Sequence, residues 1–152
     1  MNGDLEKLIP ELRKWNEGKG IDVESWIYCV GNYEHAIGYL SIFWPKFTFY
    51  EGCVFFHGFS VESYDGFMEQ TAGNKKSVES AMNHRHILDF FQNVESEPTE
   101  QQIIYLGRIL QEVWQSKLDR DFPDLKIIVS FPVHGIEDML DYETTIFQEH
   151  DG

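Results

Sequence analysis

Residues 99–120 read TEQQIIYLGRILQEVWQSKLDR and predict a long helix from Glu100 to Arg120. Thr99 and Gln102 have the spacing of a capping box, in which each side chain accepts a hydrogen bond from the other residue's backbone N–H. Six apolar residues recur with the helical period, which predicts one buried face: Ile103, Leu106, Leu110, Val113, Trp114 and Leu118. Gly107 falls on that same face. A glycine inside a helix costs about 1 kcal/mol relative to alanine, so we expect close packing against another element there.

Several shorter helices are predicted before this one. The apolar spacing of residues 4–17 is helical, with an interruption at Pro10, which lacks a backbone donor and clashes with the preceding turn. Asp22, Ser60 and Asn74 each precede a periodic apolar stretch. Their side chains can accept a hydrogen bond from the open first turn of a helix, so each predicts a helix start.

Aromatic and β-branched residues crowd positions 37–57 and predict two or three short strands, with a helix over 33–42 as the competing interpretation. Residues 126–131 and 142–147 predict two further strands. A polar loop is expected over 93–98. Helices and strands follow one another without regular alternation, which favours an α+β fold. We expect an antiparallel sheet of about four to five short strands with helices packed on one side.

Composition restricts the function classes. The 152 residues include 26 acids, 12 Lys or Arg and 23 aromatics, with a formal net charge of −14. So many aromatics exclude a disordered acidic tail, and the charge excludes a general nucleic-acid binder. The same charge disfavours docking on anionic membranes, which attract Lys and Arg. The length fits a single globular domain over residues 1–152.

The N-terminal residues and the cysteines indicate a compartment. Residues 1–12 carry three acids and lack the basic and apolar regions of a signal peptide. The apolar stretch 36–56 is interrupted by Pro45 and charged residues, which excludes a spanning helix of about 20 apolar residues. Two cysteines, Cys29 and Cys53, are too few for a disulfide framework. We therefore expect a cytoplasmic protein in which both thiols are buried.

Acidic residues are concentrated in the second half of the chain. Residues 77–152 hold 15 acids against five bases, and the tail 137–151 has no Lys or Arg. Opposed potentials speed protein association and fix orientation, so this half predicts a basic protein partner. We expect acids and two aromatic anchors to form the partner-binding surface: Glu137, Asp138, Asp141, Glu143, Tyr142 and Trp44.

His84 and His86 form the alternative candidate site. Residues i and i+2 of a strand share a face, so both imidazoles could reach one metal ion. Zinc would need one or two more ligands, for which Asp89 and His57 are possible. Nucleotide-binding and nucleophile motifs are missing from the sequence. No catalytic residue and no cofactor are therefore predicted outside this metal hypothesis.

A set of short motifs carries a resemblance: Met82 to His86, Leu106-Gly107-Arg108, Trp114, Lys117-Leu118, Asp121-Phe122-Pro123, Val129-Ser130-Phe131 and Asp141-Tyr142-Glu143. Together they resemble an uncharacterised family of small acidic bacterial proteins, from which no activity follows. In size, acidity and lack of catalytic motifs the chain is also similar, as a class, to immunity proteins of bacterial toxin–immunity systems.

The sequence therefore favours a non-catalytic acidic binding protein that neutralises a basic toxin or enzyme by occluding its site. Two other functions stay open. One is a metal-assisted enzyme that uses the His84–His86 pair, and the other is a self-associating adaptor domain. The sequence does not specify the oligomeric state of this protein.

Overall fold

The structure, a computed structural model, describes residues 2–92 and 97–150. The chain forms two compact units, Met1–Leu40 and Ser41–Gly152. The single domain expected over residues 1–152 stays a prediction. Most of the polar loop predicted over 93–98 lies outside the described residues.

The first unit is helical. It holds α1 (Asn2–Leu8), a 3-10 helix (Pro10–Lys14) and α2 (Val23–Val30). Pro10 opens the 3-10 helix, which confirms the predicted interruption. The carboxylate of Asp22 accepts from the Ser25 N–H at 2.9 Å and caps α2, as expected from the sequence.

Helix α3 (Tyr33–Phe43) corrects the strand predicted from residue 37 and confirms the competing helix. Its start is fixed locally, because the Asn32 side chain accepts from the His35 N–H at 3.0 Å. The aromatic and β-branched residues that indicated a strand are accommodated in a helix, so the local start signal outweighed their weak β preference.

The strands form two antiparallel sheets in the described residues. Strands β1 (Phe47–Tyr50) and β2 (Cys53–Phe56) make a hairpin. The other sheet has the order β3-β5-β4, from β3 (Arg85–His86), β4 (Ile127–Ser130) and β5 (Glu143–Gln148). The α+β class is confirmed, but each sheet has fewer strands than the single sheet expected.

Helices α4 (Val61–Gln70) and α5 (Lys75–Met82) begin at the predicted caps, Ser60 and Asn74. Glu79 on α5 and Asn83 at its C-cap join the two sheets. The Glu79 carboxylate accepts from the Val54 N–H at 2.9 Å and from the Gln148 N–H at 3.2 Å. The Asn83 amide donates to the carbonyls of Val54 and Ile146 at 2.7 and 3.1 Å. These bonds satisfy backbone groups of β2 and β5 that no ladder pairs.

Helix α6 (Glu100–Asp121) contains the predicted capping box and carries the apolar face into the larger core. Its buried positions lie on one side of the helix: Ile103, Gly107, Leu110, Trp114 and Leu118. A Cβ on Gly107 would lie 2.0 Å from the Phe131 ring, which confirms the expected close packing. Gln115 bonds the backbone of Ile127 and Val129 in the edge strand β4, so its outer edge is occupied.

Candidate functional site

The acidic residues predicted to bind a partner have different surroundings. Glu137, Asp138 and Asp141 are exposed. Asp138 Oδ1 accepts from the Leu140 N–H at 2.9 Å, and Asp141 Oδ2 accepts from the Asp138 N–H at 3.3 Å. Both carboxylates therefore cap the 3-10 helix Met139–Asp141 while keeping exposed surface. Asp151, at the end of the acidic tail, lies outside the described residues.

Of the two predicted aromatic anchors, Tyr142 is buried and Trp44 is exposed. Tyr142 is only 2% exposed, and its hydroxyl donates to Glu100 at 2.5 Å. This hydrogen bond to the carboxylate raises the pKa of Tyr142. Trp44 is 41% exposed, and the Lys117 ammonium lies 5.5 Å from the centre of its ring. The Tyr142 ring belongs to the larger core and offers no anchor to a partner.

The histidine pair, His84 and His86, lies next to Glu143, which the sequence predicted to belong to the partner-binding surface. His84 Nε2 lies 2.9 Å from His86 Nε2 and 3.1 Å from the carboxylate of Glu143. All three side chains are between one third and two fifths exposed, so the cluster is accessible to solvent. His57, named as a possible further ligand, instead has its Nδ1 3.0 Å from the Thr48 hydroxyl.

Strand pairing explains why these side chains meet. In the antiparallel register of β3 and β5, His86 lies directly opposite Glu143. Directly opposed residues on a sheet face have Cβ atoms about 4.5–5.5 Å apart. His84 lies two residues before His86 and shares its face. The H-x-H spacing was visible in the sequence, but Glu143 could be added only from the register of strands about 57 residues apart.

A second cluster brings Cys53, Glu79 and His150 together. The buried Glu79 carboxylate accepts four hydrogen bonds, two on each oxygen, with the His150 imidazole at 2.5 Å among the donors. These bonds fill the acceptor sites of the carboxylate. Burial and the nearby Glu79 carboxylate raise the pKa of Cys53 to about 11, so it is a thiol at neutral pH. The hydrogen bonds of this cluster therefore indicate a structural role, in which Glu79 connects neighbouring elements, and leave no open position for a ligand on its carboxylate.

Helices α2 and α3 form the most exposed apolar part of the described chain, and none of their residues is buried. On α3, Tyr33, Ile37 and Leu40 are 91%, 67% and 62% exposed. Their spacing of i, i+4 and i+7 places them on one face of the helix. We call these three residues the α3 stripe. Cys29 on α2 is also exposed, which corrects the expectation of two buried thiols.

The α3 stripe was missed because the stretch was interpreted as strand. The signal that could have found it was the same apolar period used for α6, read from Tyr33 instead of from residue 37. None of the helices in residues 2–92 and 97–150 combines the length and apolar character that crossing a bilayer requires. Comparison of the chain with protein-family models, curated proteins and solved structures finds no match.

Proposed function

We propose that this protein binds a basic protein partner through the α3 stripe and neutralises it by covering its site. The observation that carries the proposal is the exposure of Tyr33, Ile37 and Leu40 on one helix face. An exposed row with this spacing is typical of helices that lie in an apolar groove of another protein. A toxin or enzyme with such a groove at its site would be blocked by the bound helix.

The side chains of the stripe are suited to act as anchors. Tyrosine is favoured among residues that dominate binding energy, and each well-desolvated anchor contributes about 2 kcal/mol or more. Ile37 and Leu40 add apolar area at about 25 cal/mol per Å² removed from water. A partner groove that seats all three residues would exclude water from the row and protect it.

Charge selects a basic partner. Residues 21–45 contain Asp22, Glu24 and Glu34 and no Lys or Arg. Glu34 is exposed and flanks the stripe, next to Tyr33. The whole chain carries a formal charge of −14, which steers association with positive surfaces. We therefore infer an apolar groove rimmed by Lys and Arg. The exposed carboxylates of Glu137, Asp138 and Asp141 would add long-range attraction to it.

The experiment is a capture from extracts of the native host with the tagged full chain, at low and at moderate salt. The matched variants are Ile37→Asp, within the stripe, and Val61→Asp, at an exposed apolar position that begins α4. We expect one basic protein, bound near one to one by the wild type and by Val61→Asp. Ile37→Asp should bind it at least about tenfold more weakly, because the charge enters the desolvated groove.

Three results would contradict the proposal. The first is equal capture by Ile37→Asp and Val61→Asp, and the second is an acidic partner. The third is association that does not change with salt, because steering by charge is screened. Sedimentation of the purified protein measures its oligomeric state, and this distinguishes the proposal from the alternative of a self-associating adaptor domain. A homodimer that Ile37→Asp dissociates would assign the stripe to a second copy of this chain.

A further inference from the structure

We propose that His84, His86 and Glu143 bind one divalent transition metal ion, with Zn²⁺ as the reference ion. Two imidazoles and a carboxylate are the ligand set of several zinc and iron sites. This inference is independent of the proposed function, because it uses residues of the second unit and no partner protein.

The distances between the donor atoms fit a shared ion. Zinc binds nitrogen and oxygen ligands at about 2.0–2.1 Å, so adjacent ligand atoms of a tetrahedral site are roughly 3.3 Å apart. His84 Nε2 lies 2.9 Å from His86 Nε2 and 3.1 Å from Glu143 Oε2. Two imidazole nitrogens this close hold a proton or a cation between them. His86 approaches the Glu143 carboxylate less closely, with its Nδ1 3.6 Å from Oε2. One donor atom from each of the three side chains lies within 4.8 Å of the other two, so small side-chain rotations would bring all three to one ion.

The second nitrogen of His86 is already held as metal-binding histidines require. His86 Nδ1 lies 2.5 Å from the carbonyl oxygen of Leu140, which accepts its proton. This bond places the proton on Nδ1 and leaves the Nε2 lone pair directed toward His84. A backbone carbonyl on the far nitrogen is a common outer partner of a metal ligand, because it fixes the tautomer and ring orientation.

The partial exposure of the site leaves coordination positions open. Each of the three side chains is 35–38% exposed, so water can complete the coordination of the ion. Three protein ligands with an open fourth position distinguish catalytic zinc sites from closed structural ones.

Nearby charge does not oppose a cation. Arg85 lies between the two histidines in the sequence, and its side chain points to the opposite face of the sheet because successive residues of a strand alternate between faces. Its guanidinium carbon lies 4.4 Å from the centre of the Phe56 ring, and it donates to the Met82 and His84 carbonyls. The carboxylate of Glu143 supplies the negative charge that the ion needs.

The experiment measures Zn²⁺ binding to the full chain after chelator treatment, by calorimetry and by competition with a zinc indicator. We expect one equivalent per chain. His86→Ala and Glu143→Gln should each raise the Kd at least about tenfold, since even outer partners of metal sites cost about 10–100-fold. Co²⁺ substitution gives a second readout, because its visible absorption reports coordination number and should change in Glu143→Gln.

The matched controls separate this site from other histidines. His134 is exposed and belongs to neither cluster, so His134→Ala should bind like the wild type. Circular dichroism establishes that each variant is folded, and Glu143→Gln preserves side-chain size. The inference is overturned if no Zn²⁺ binds the folded wild type. It is also overturned if His86→Ala and Glu143→Gln bind normally, or if His150→Ala abolishes binding instead.

Discussion

Helices α3 and α6 carry the same kind of apolar row and differ in what covers it. On α6, Ile103, Leu110 and Leu118 are at most 2% exposed and lie in the larger core. On α3, Tyr33, Ile37 and Leu40 are more than 60% exposed. Helical periodicity therefore predicts that a face exists and gives no information about its partner. A buried row accounts for stability, and an exposed row is available for binding.

One leucine on each helix gives the comparison with the largest expected effect. Leu110→Ala removes a fully buried side chain and should lower the free energy of unfolding by about 2–5 kcal/mol. Leu40→Ala removes an exposed one and should change it by no more than about 0.5 kcal/mol. Urea unfolding measures both. A loss of 2 kcal/mol or more in Leu40→Ala would mean that the stripe is covered within the chain.

Two glutamates, Glu79 on the buried side of α5 and Glu34 on the exposed α3, extend the comparison to polar groups. Glu79→Gln replaces one acceptor oxygen with a donor, facing backbone and side-chain donors that then lose their partner. Leaving donors of a buried charged network unsatisfied should cost about 3 kcal/mol. Glu34→Gln, on exposed α3, should stay within about 0.5 kcal/mol. If Glu79→Gln and Glu34→Gln were equally stable in thermal and urea unfolding, Glu79 would not join the two sheets.

The two cysteines report the same contrast by reactivity. Cys29 is exposed on α2, and Cys53 is buried with a pKa raised to about 11. At pH 8 only about 0.1% of such a thiol is ionised, and the thiolate is the reactive form. Iodoacetamide should modify Cys29 at least about 100-fold faster than Cys53, as peptide mass spectrometry over time will show. Comparable rates would mean that β2 is open to solvent.

The raised pKa of Cys53 also sets a direction for the pH dependence of stability. The folded-state pKa of Cys53 lies above its ordinary value of 9.0, so the folded chain holds the proton longer than the unfolded chain. The contribution of the Cys53 thiol to the free energy of unfolding is therefore fully present below pH 9 and is lost as pH rises toward 11. Cys53→Ser should reduce that alkaline loss relative to the wild type, when unfolding is followed at pH 8 and pH 10.

A glycine within each helix gives the smallest effects, of opposite sign. A Cβ at position 107 would lie 2.0 Å from the Phe131 ring, whereas one at position 38 meets nothing within 4 Å. Gly107→Ala should cost about 1–3 kcal/mol through overpacking. Gly38→Ala should gain about 0.5–1 kcal/mol from helix propensity. Stabilisation by Gly107→Ala in the same unfolding assay would contradict the close packing of α6.

The features predicted from sequence were the local ones. Thr99 with Gln102, Asp22, Ser60 and Asn74 each mark a helix start, because a cap needs only residues three positions apart. The close approach at Gly107 followed from its place on the apolar face. These signals depend on short range chemistry, which a single sequence contains.

The features that sequence did not predict depend on distant pairing. The two sheets are joined through Glu79 and Asn83, whose partners lie up to 71 residues away. The meeting of Glu143 with His84 and His86 depends on the β3–β5 register. Register is decided by burial of the whole sheet rather than by neighbouring residues. Membership of the resembled bacterial family and the cytoplasmic location stay predictions.

Photocrosslinking from the α3 stripe tests the central account most directly. A photoreactive phenylalanine analogue would replace Ile37 in the cells that naturally produce the protein, with the same replacement at the exposed Val61 as the control. The account predicts a single adduct with a basic protein from position 37 and none from position 61. Crosslinks from position 37 into residues 41–152 of the same chain would show a covered stripe and contradict it.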